Sequence, residues 1–476
     1  MKNCKSLLSE IRRFNADEGG FLQAFFLKKF YDKAMNKDMT QGKAGELILS
    51  FSLPLMIANV CQQLYNIVDT AVVGRFVGEN ALAAVGTTGS IVFFMCALVL
   101  GLNLGAGIAV SQYFGAKNFR SLVNSVSSLI IIDAILSALI TAVGVLGAPL
   151  ILKILSVPSV IALDAAKYMR ICFAGTIFMV SYNASATILR SMGDSKTPFV
   201  AVMISSVVNV ACNLLFVLVC GWGVAGVALG TILSQFFSAL YCICVIVKNK
   251  NLLFNSEKFS LRFEKHSAFI IAKNGIPSAL QSALICLGGL SVQGLVNSFG
   301  TQTIAAYTAV QRIDGIAIQV VVAIASSLSV YTGQNVGAGK MERIKDGLRA
   351  TLLIMLISCA AIALLTLVFG KYMLIIFLDP ATSQDSIEIG GQYLVIIGIA
   401  YIIAGVMNSY LNVIRGAGDV NVALFAGVAE VVARVVFAST LVRFFGTWGI
   451  WFATPLSWGC GCVIPVVRYY RGKWKK

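Results

Sequence analysis

The sequence predicts an all-α membrane protein: two parallel-related bundles of six transmembrane helices around a central cleft. Three observations carry this. Of the 476 residues, 58% are hydrophobic and only 12% charged, against roughly one quarter charged in a soluble globular chain. Apolar runs long enough to cross a hydrocarbon core of roughly 30 Å recur along the whole chain. The second half also repeats short motifs of the first, in the same order and at a nearly constant offset.

The runs fall at 46–74, 84–114, 122–150, 165–190, 198–220 and 224–247, then at 268–297, 303–332, 349–378, 390–414, 420–443 and 447–469. None shows the apolar/polar alternation of a barrel strand, and lipid cannot satisfy open backbone groups, so each is read as a helix. Residues 1–45 form a mixed-charge cytoplasmic extension, read equally as an amphipathic helix on the inner leaflet or as a poorly packed lead. The lobes are expected at 46–247 and 268–470. A polar, basic linker joins them at 248–267, and 471–476 is a basic tail.

The repeat is carried by collinear pairs. Gly78 matches Gly300, and Gln112, Gly115 and Ala116 match Gln334, Gly337 and Ala338, all at an offset of 222. Pro54 matches Pro277, and Gly223, Gly226 and Thr231 match Gly446, Gly449 and Thr454, at 223; Arg190, Gly193 and Asp194 match Arg415, Gly418 and Asp419 at 225. An even number of helices per copy makes the copies parallel, related by an axis along the membrane normal.

A net charge of +16 would raise nucleic-acid binding for a soluble chain. Its placement excludes that here. With the N-terminus in the cytoplasm, 29 of the 37 Lys and Arg fall in interior loops and tails and six on the exterior side, as the positive-inside rule requires of a multi-pass cell-membrane protein with both termini cytoplasmic. In that count Arg190 and Arg415 belong to interior loops, and RSMGD (190–194) and RGAGD (415–419) are structural Gly-Asp turns rather than phosphate loops. The twelve cysteines form no CxxC pair and are read as packing residues, as are Tyr65, Phe178, Met179 and Tyr182. With His266 the single histidine, no histidine metal site is available. Residues 21–30 lack the pattern of a cleavable signal.

With charges near the ends of the runs counted to the loops on either side, six charged groups are left in hydrocarbon: Asp69, Asp133, Asp314, Glu430, Arg312 and Arg434. Each costs at least roughly 2.5–3.5 kcal/mol on insertion scales and is a functional candidate by default. Glu430 and Arg434 lie four apart on one helix and can satisfy one another. Arg312 and Asp314 can complete a charge network with them. Asp69 has no basic neighbour within a turn. Asn209 and Asn213 share one face of the fifth helix, and with Thr231 on the sixth they reach a similar depth in the outer half of the first lobe. A carboxylate, two amides and a hydroxyl suit an oxygen cage for Na⁺, or equally a carboxylate that takes up and releases a proton. The positions that match Asp69, Asn209 and Asn213 in the second copy are Ser291 or Val292, Arg434 and Ala438, so any such site belongs to the first lobe alone.

LPLMIANVCQQLYNIVDTAVVGRFVGENALAAVG (53–86), GAGIAVSQYFGAKN (105–118) and GQNVGAGKMER (333–343) together resemble the multidrug and toxic compound extrusion family, over about residues 40–470. The resemblance implies a V-shaped pair of bundles that exports small organic, often cationic, compounds in exchange for H⁺ or Na⁺. It implies no cofactor and no enzyme activity, and a monomer in the bilayer is expected. The family's first-helix acid falls on Asp69, its fifth-helix Asn on Asn209 and its sixth-helix Thr on Thr231. Asn213 departs from the Asp of some members. Another branch uses acids on the seventh and tenth helices, and neither run holds one here. The alternative, a related flippase of lipid-linked saccharides, calls for a strongly cationic cleft, which two intramembrane arginines do not supply.

Overall fold

The computed structural model describes residues 38–475, so the extension expected over 1–45 and the last residue of the tail lie largely or wholly outside the described residues. Helix α1 spans Ala44–Val72 and continues as a π-helical turn, Val73–Val77. Helices α2 (Glu79–Gly115) and α3 (Phe119–Ile154) follow. Helix α4 runs Ser159–Ala174 and, after a 45° bend, Thr176–Ser191. Helix α5 spans Lys196–Asn213 and continues as π-helical Leu214–Val219; α6 is Gly223–Lys248. The second half holds α7 (Lys265–Asn297), α8 (Thr301–Gly337) and α9 (Met341–Ile375). It ends with α10 (Gln384–Gly416), α11 (Asn421–Phe445) and α12 (Thr447–Tyr470). Eleven of these are long and apolar enough to cross a membrane, and α4 makes the twelfth when its bent halves count as one span.

Some of the repeated glycines are turn residues. Gly78 (φ 115°) and Gly300 (φ 89°) begin α2 and α8, and Gly193 and Gly418 (both φ 92°) end α4 and α10. These are left-handed backbones that glycine adopts without strain, so the motifs recur because the turns do. After Gly193, Asp194 caps α5: its Oδ1 accepts from the Lys196 and Thr197 backbone amides at 3.0 Å. The segment after α6 is strapped to the start of α3, where Ser127 Oγ accepts from the Arg262 amide at 2.6 Å and Ser128 Oγ from the Glu264 amide at 3.0 Å. Glu264 then caps α7 by accepting from the His266 and Ser267 amides.

Small residues let helices of one lobe approach closely. A Cβ on Gly226 of α6 would meet Phe216 of the α5 extension, and one on its repeat partner Gly449 of α12 would meet the Leu441 backbone of α11. The second lobe is filled by a stack of Tyr307, Tyr393 and Trp451, with 4.3 Å between the last two rings. The outer faces carry exposed Leu146, Ile154, Val207, Ile376 and Phe444, as a lipid-facing surface requires.

Between lobes, α2 packs on α7 and α8, and α1 on α8 and α9. The α2–α8 crossing sits on the side of the bundle that carries the start of the described chain, because the Met39 amide reaches Gln334. Gly101 and Gly105 of α2 abut Ala279 and Gly275 of α7, and Gly115 and Gly337 lie against the Gln334 and Gln112 carbonyls across the α2–α8 crossing. The two glutamines then cross over: Gln112 Nε2 donates to the Gly416 carbonyl and Gln334 Nε2 to the Ser191 carbonyl, each at 2.9 Å. The pair obeys the pseudo-twofold of the repeat. Asp38–Lys43 backs the latch, because the Met39 amide donates to Gln334 Oε1 and Lys340 Nζ and Arg343 donate to the Thr40 and Gly42 carbonyls.

A hydrogen bond of this kind contributes about 1 kcal/mol net. Replacing Gln112 and Gln334 together by Ala is therefore expected to shift the balance between closed and open forms of this side by about tenfold or more. Distances between spin labels on the ends of α2 and α8 would read it, and unchanged distance distributions would sink the assignment. Glu264→Ala is expected to cost about 1 kcal/mol through the lost cap and to speed amide exchange in the first turn of α7. Bonds from Ser267 hold the Glu264 carboxyl below the usual glutamate range, so the cap's stabilisation is full above that range and is lost as pH falls below it, through the lowered value.

Candidate ion site and the cavity between the lobes

Asp69 lies eight residues before the end of the α1 extension at Val77, on the side of the molecule away from the latch. Helix α5 brings two fully buried amides to it. Asn209 Nδ2 donates to Asp69 Oδ2 at 3.4 Å, Asn213 Nδ2 donates to Asp69 Oδ1, and Asn213 also donates to Asn209 Oδ1 at 3.3 Å. Both carboxylate oxygens thus accept from α5. Asn213 Oδ1 is buried without a partner among the described residues and faces Gly230 of α6, where any Cβ would collide with it. The π-helical turns begin directly after these residues, four positions past Asp69 and one past Asn213. Such turns frequently mark functional sites.

Three of the four expected members come together. The fourth, Thr231, follows Gly230 in sequence but spends its hydroxyl on its own helix, donating to the Val227 carbonyl at 3.1 Å. Two residues outside that set complete the surroundings. Tyr65, read as packing, and Tyr168 of α4 both lie within electrostatic range of the Asp69 carboxylate. Nothing in the spacing of Tyr168 ties it to α1.

The charge network forms in part. Arg434 donates to Glu430 at 2.6 Å within α11, and Asp314 accepts from Tyr401 at 2.5 Å. Both acids and Arg434 line a cavity of about 410 Å³ inside the second lobe. Arg312 is exposed and makes no ion pair among the described residues, so it stands outside this network, its side chain turned about a third of a helical turn from the Gln311–Asp314 face. Asp133 of α3 is buried and accepts from Asn103 Nδ2 at 3.0 Å.

A second cavity, of about 360 Å³, lies between the lobes directly above the latch. Here the charge count of loops needs correction. Arg190 and Arg415 are not loop residues: they sit on the last turns of α4 and α10 and both line this space, as do Asn183, Asn408 and Asn412. Among the described residues, no carboxylate lines it. That leaves it without the counter-charge which the organic cation implied by the resemblance would need.

Comparison with known proteins bears on this architecture. The MatE family model matches residues 54–215 and again 277–440, so its two copies start at the repeat pair Pro54 and Pro277. The probable multidrug resistance protein YpnP of Bacillus subtilis is 30% identical over 440 residues, covering 92% of this chain and 97% of that one. YoeA of the same organism, also named as a probable multidrug resistance protein, is 28% identical over 440 residues, 90% of this chain and 93% of its own. A solved structure described as the outward-facing conformation of a multidrug resistance MATE family transporter superposes with a TM-score of 0.86 at 21% identity, over 92% of this chain and 98% of the other. The chain belongs to the MatE family of multidrug efflux transporters.

Proposed function

We propose that the protein is a secondary active antiporter that exports a small organic compound in exchange for H⁺ or Na⁺ taken up at Asp69. One observation carries the reading: a carboxylate in the half of the first lobe away from the latch, bound through both oxygens by buried amides of another helix. An ion that binds Asp69 changes what those amides must satisfy, and so changes the seating of α1 on α5. Two amide donors on two carboxylate oxygens suit exchange of a proton. The unpartnered Asn213 Oδ1 gives Na⁺ a further oxygen. The basic face is cytoplasmic by the positive-inside rule, with both termini there, and the protein acts as a monomer in the cell membrane.

The cycle is alternating access. The lobes are latched on the basic face, the state in which Asp69 is reached from the opposite side. Uptake of the ion neutralises or occupies the carboxylate and favours the return to a form open on the basic face. An ion moves this balance only through different affinity for the two forms.

Dye efflux from proteoliposomes under an imposed pH or Na⁺ gradient tests the reading. Asp69→Asn is expected to lose gradient-driven transport by about a hundredfold, and wild-type rates in that variant under both gradients would refute it. Gly230→Ala puts a Cβ against Asn213 Oδ1 and should displace that amide. Coupled transport is expected to fall about tenfold while the size-exclusion profile stays that of wild type; an unchanged rate would place Asn213 outside the ion site.

A further inference from the structure

We infer that the cavity between the lobes binds an anionic group, a carboxylate or phosphate carried by the transported compound, between the guanidinium groups of Arg190 and Arg415. The inference rests on the transporter reading and adds the substrate class to it.

Each guanidinium has five donors, and most are unspent. Arg190 Nε donates to the Ala186 carbonyl of its own helix at 3.1 Å. Arg415 donates through Nη2 to Gln281 Oε1, while its Nε is buried with no partner. Neither makes an ion pair among the described residues. The acids that sequence would offer them are committed elsewhere. Asp194 caps α5, accepting also from Thr197 Oγ1 at 2.5 Å, and Asp419 holds Arg468 at 2.7 Å. Behind the cavity wall, Asp133 is held by Asn103, and beyond Arg415 Asp314 is held by Tyr401.

An arginine in a spanning segment is ordinarily paired, because an uncompensated charge in a low-dielectric interior is costly. The negative ends of α4 and α10 offset part of that cost. They do not use the forked donors, whose geometry matches a carboxylate or phosphate. The two arginines are also repeat partners, as are Asn183 with Asn408 and Thr187 with Asn412, so the same donor face is presented twice across the pseudo-twofold. A pocket lined from both lobes senses their separation, as a transported group must. The 410 Å³ cavity of the second lobe shares Val322, Asn408 and Arg415 with this one and gives the organic remainder a place beside Tyr307 and Trp458.

The test uses purified full-length protein in phosphatidylcholine nanodiscs, with carboxyfluorescein as the anionic probe and ethidium as the cationic one, both read by fluorescence anisotropy. Wild type is expected to bind carboxyfluorescein, with affinity about tenfold lower or worse in Arg190→Gln and lower again when Arg415→Gln is added. Arg190→Lys should recover part of the loss. Ethidium binding should not fall in any of them. Arg190→Gln is the decisive variant, since its mapped bond is to its own helix, whereas Arg415 also holds Gln281. Displacement of the dye by phosphatidic acid doped into the disc would make the anion a lipid headgroup. Displacement by soluble pyrophosphate alone would make it a free solute. No binding of carboxyfluorescein to wild type, or binding unaltered in Arg190→Gln, overturns the inference. Transport that depends on Asp69 would survive that result, and anion binding would survive a failure of Asp69→Asn, so the two readings fail separately.

Discussion

The crossing of α2 and α8 governs the molecule. At Gly115 and Gly337 the two helices meet backbone to backbone, each glycine against the carbonyl of the other helix's glutamine. Any side chain there would drive the helices apart. Their closeness is what lets Gln112 and Gln334 each reach a carbonyl in the opposite lobe, at the ends of α10 and α4. Those ends are the ones that carry Arg415 and Arg190, so the same contact that shuts one face also forms the floor of the cavity and fixes its charge. Packed, discrete interfaces of this kind have two arrangements rather than a continuum, which suits a gate.

Symmetry stops at packing. Gly226 on Phe216 and Gly449 on Leu441 bring the last two helices of each lobe together in the same way. The polar groups set between those helices differ. In the first lobe Asn209 and Asn213 turn to Asp69 on α1. At the matching positions the second lobe has Arg434, neutralised by Glu430 one turn away, and buried Ala438, with the aromatic stack of Tyr307, Tyr393 and Trp451 filling the space. The second lobe pairs Arg434 with Glu430 and Asp314 with Tyr401, and keeps no carboxylate on α7.

The helices were legible because hydrocarbon forces long apolar runs, and the turns because glycine recurs where the backbone must be left-handed. Asp69, Asn209 and Asn213 were legible because depth along antiparallel helices can be counted from their ends. What was not legible lies where that counting fails. Helix α2 is 37 residues long, and its length alone does not tell that Gln112 and Gly115 near its end cross α8 closely enough to reach the other lobe. A charge tally assigns Arg190 and Arg415 to loops since each lies within a residue or two of a helix end; only the fold shows that those ends face each other. The repeat of Asn183, Thr187 and Arg190 in Asn408, Asn412 and Arg415 was the available signal, a polar stripe at helical spacing in both copies. The proximity of Tyr168 to Asp69, and the separation of Arg312 from its expected partners, depend on helix packing and rotation that apolar periodicity does not encode.

Ion site and cavity are walls of one piece of chain. Arg190 ends α4, a four-residue turn follows, and α5 carries Asn209 and Asn213 onward to Asp69. That turn is clamped: Gly193 permits its left-handed backbone, and Asp194 ties Lys196 and Thr197 to it through backbone and hydroxyl bonds. On the proposed reading, a rotation of α5 that accompanies ion exchange at Asp69 would not be absorbed at this junction but would reach the end of α4, where the Ser191 carbonyl holds the latch glutamine and Arg190 lines the cavity. In the second copy Asp419 gives its carboxylate to Arg468 of α12, leaving the start of α11 without that clamp. The corner that joins α4 to α5 is thus stiff and the one that joins α10 to α11 looser, an asymmetry that matches the proposal of an ion site in the first lobe.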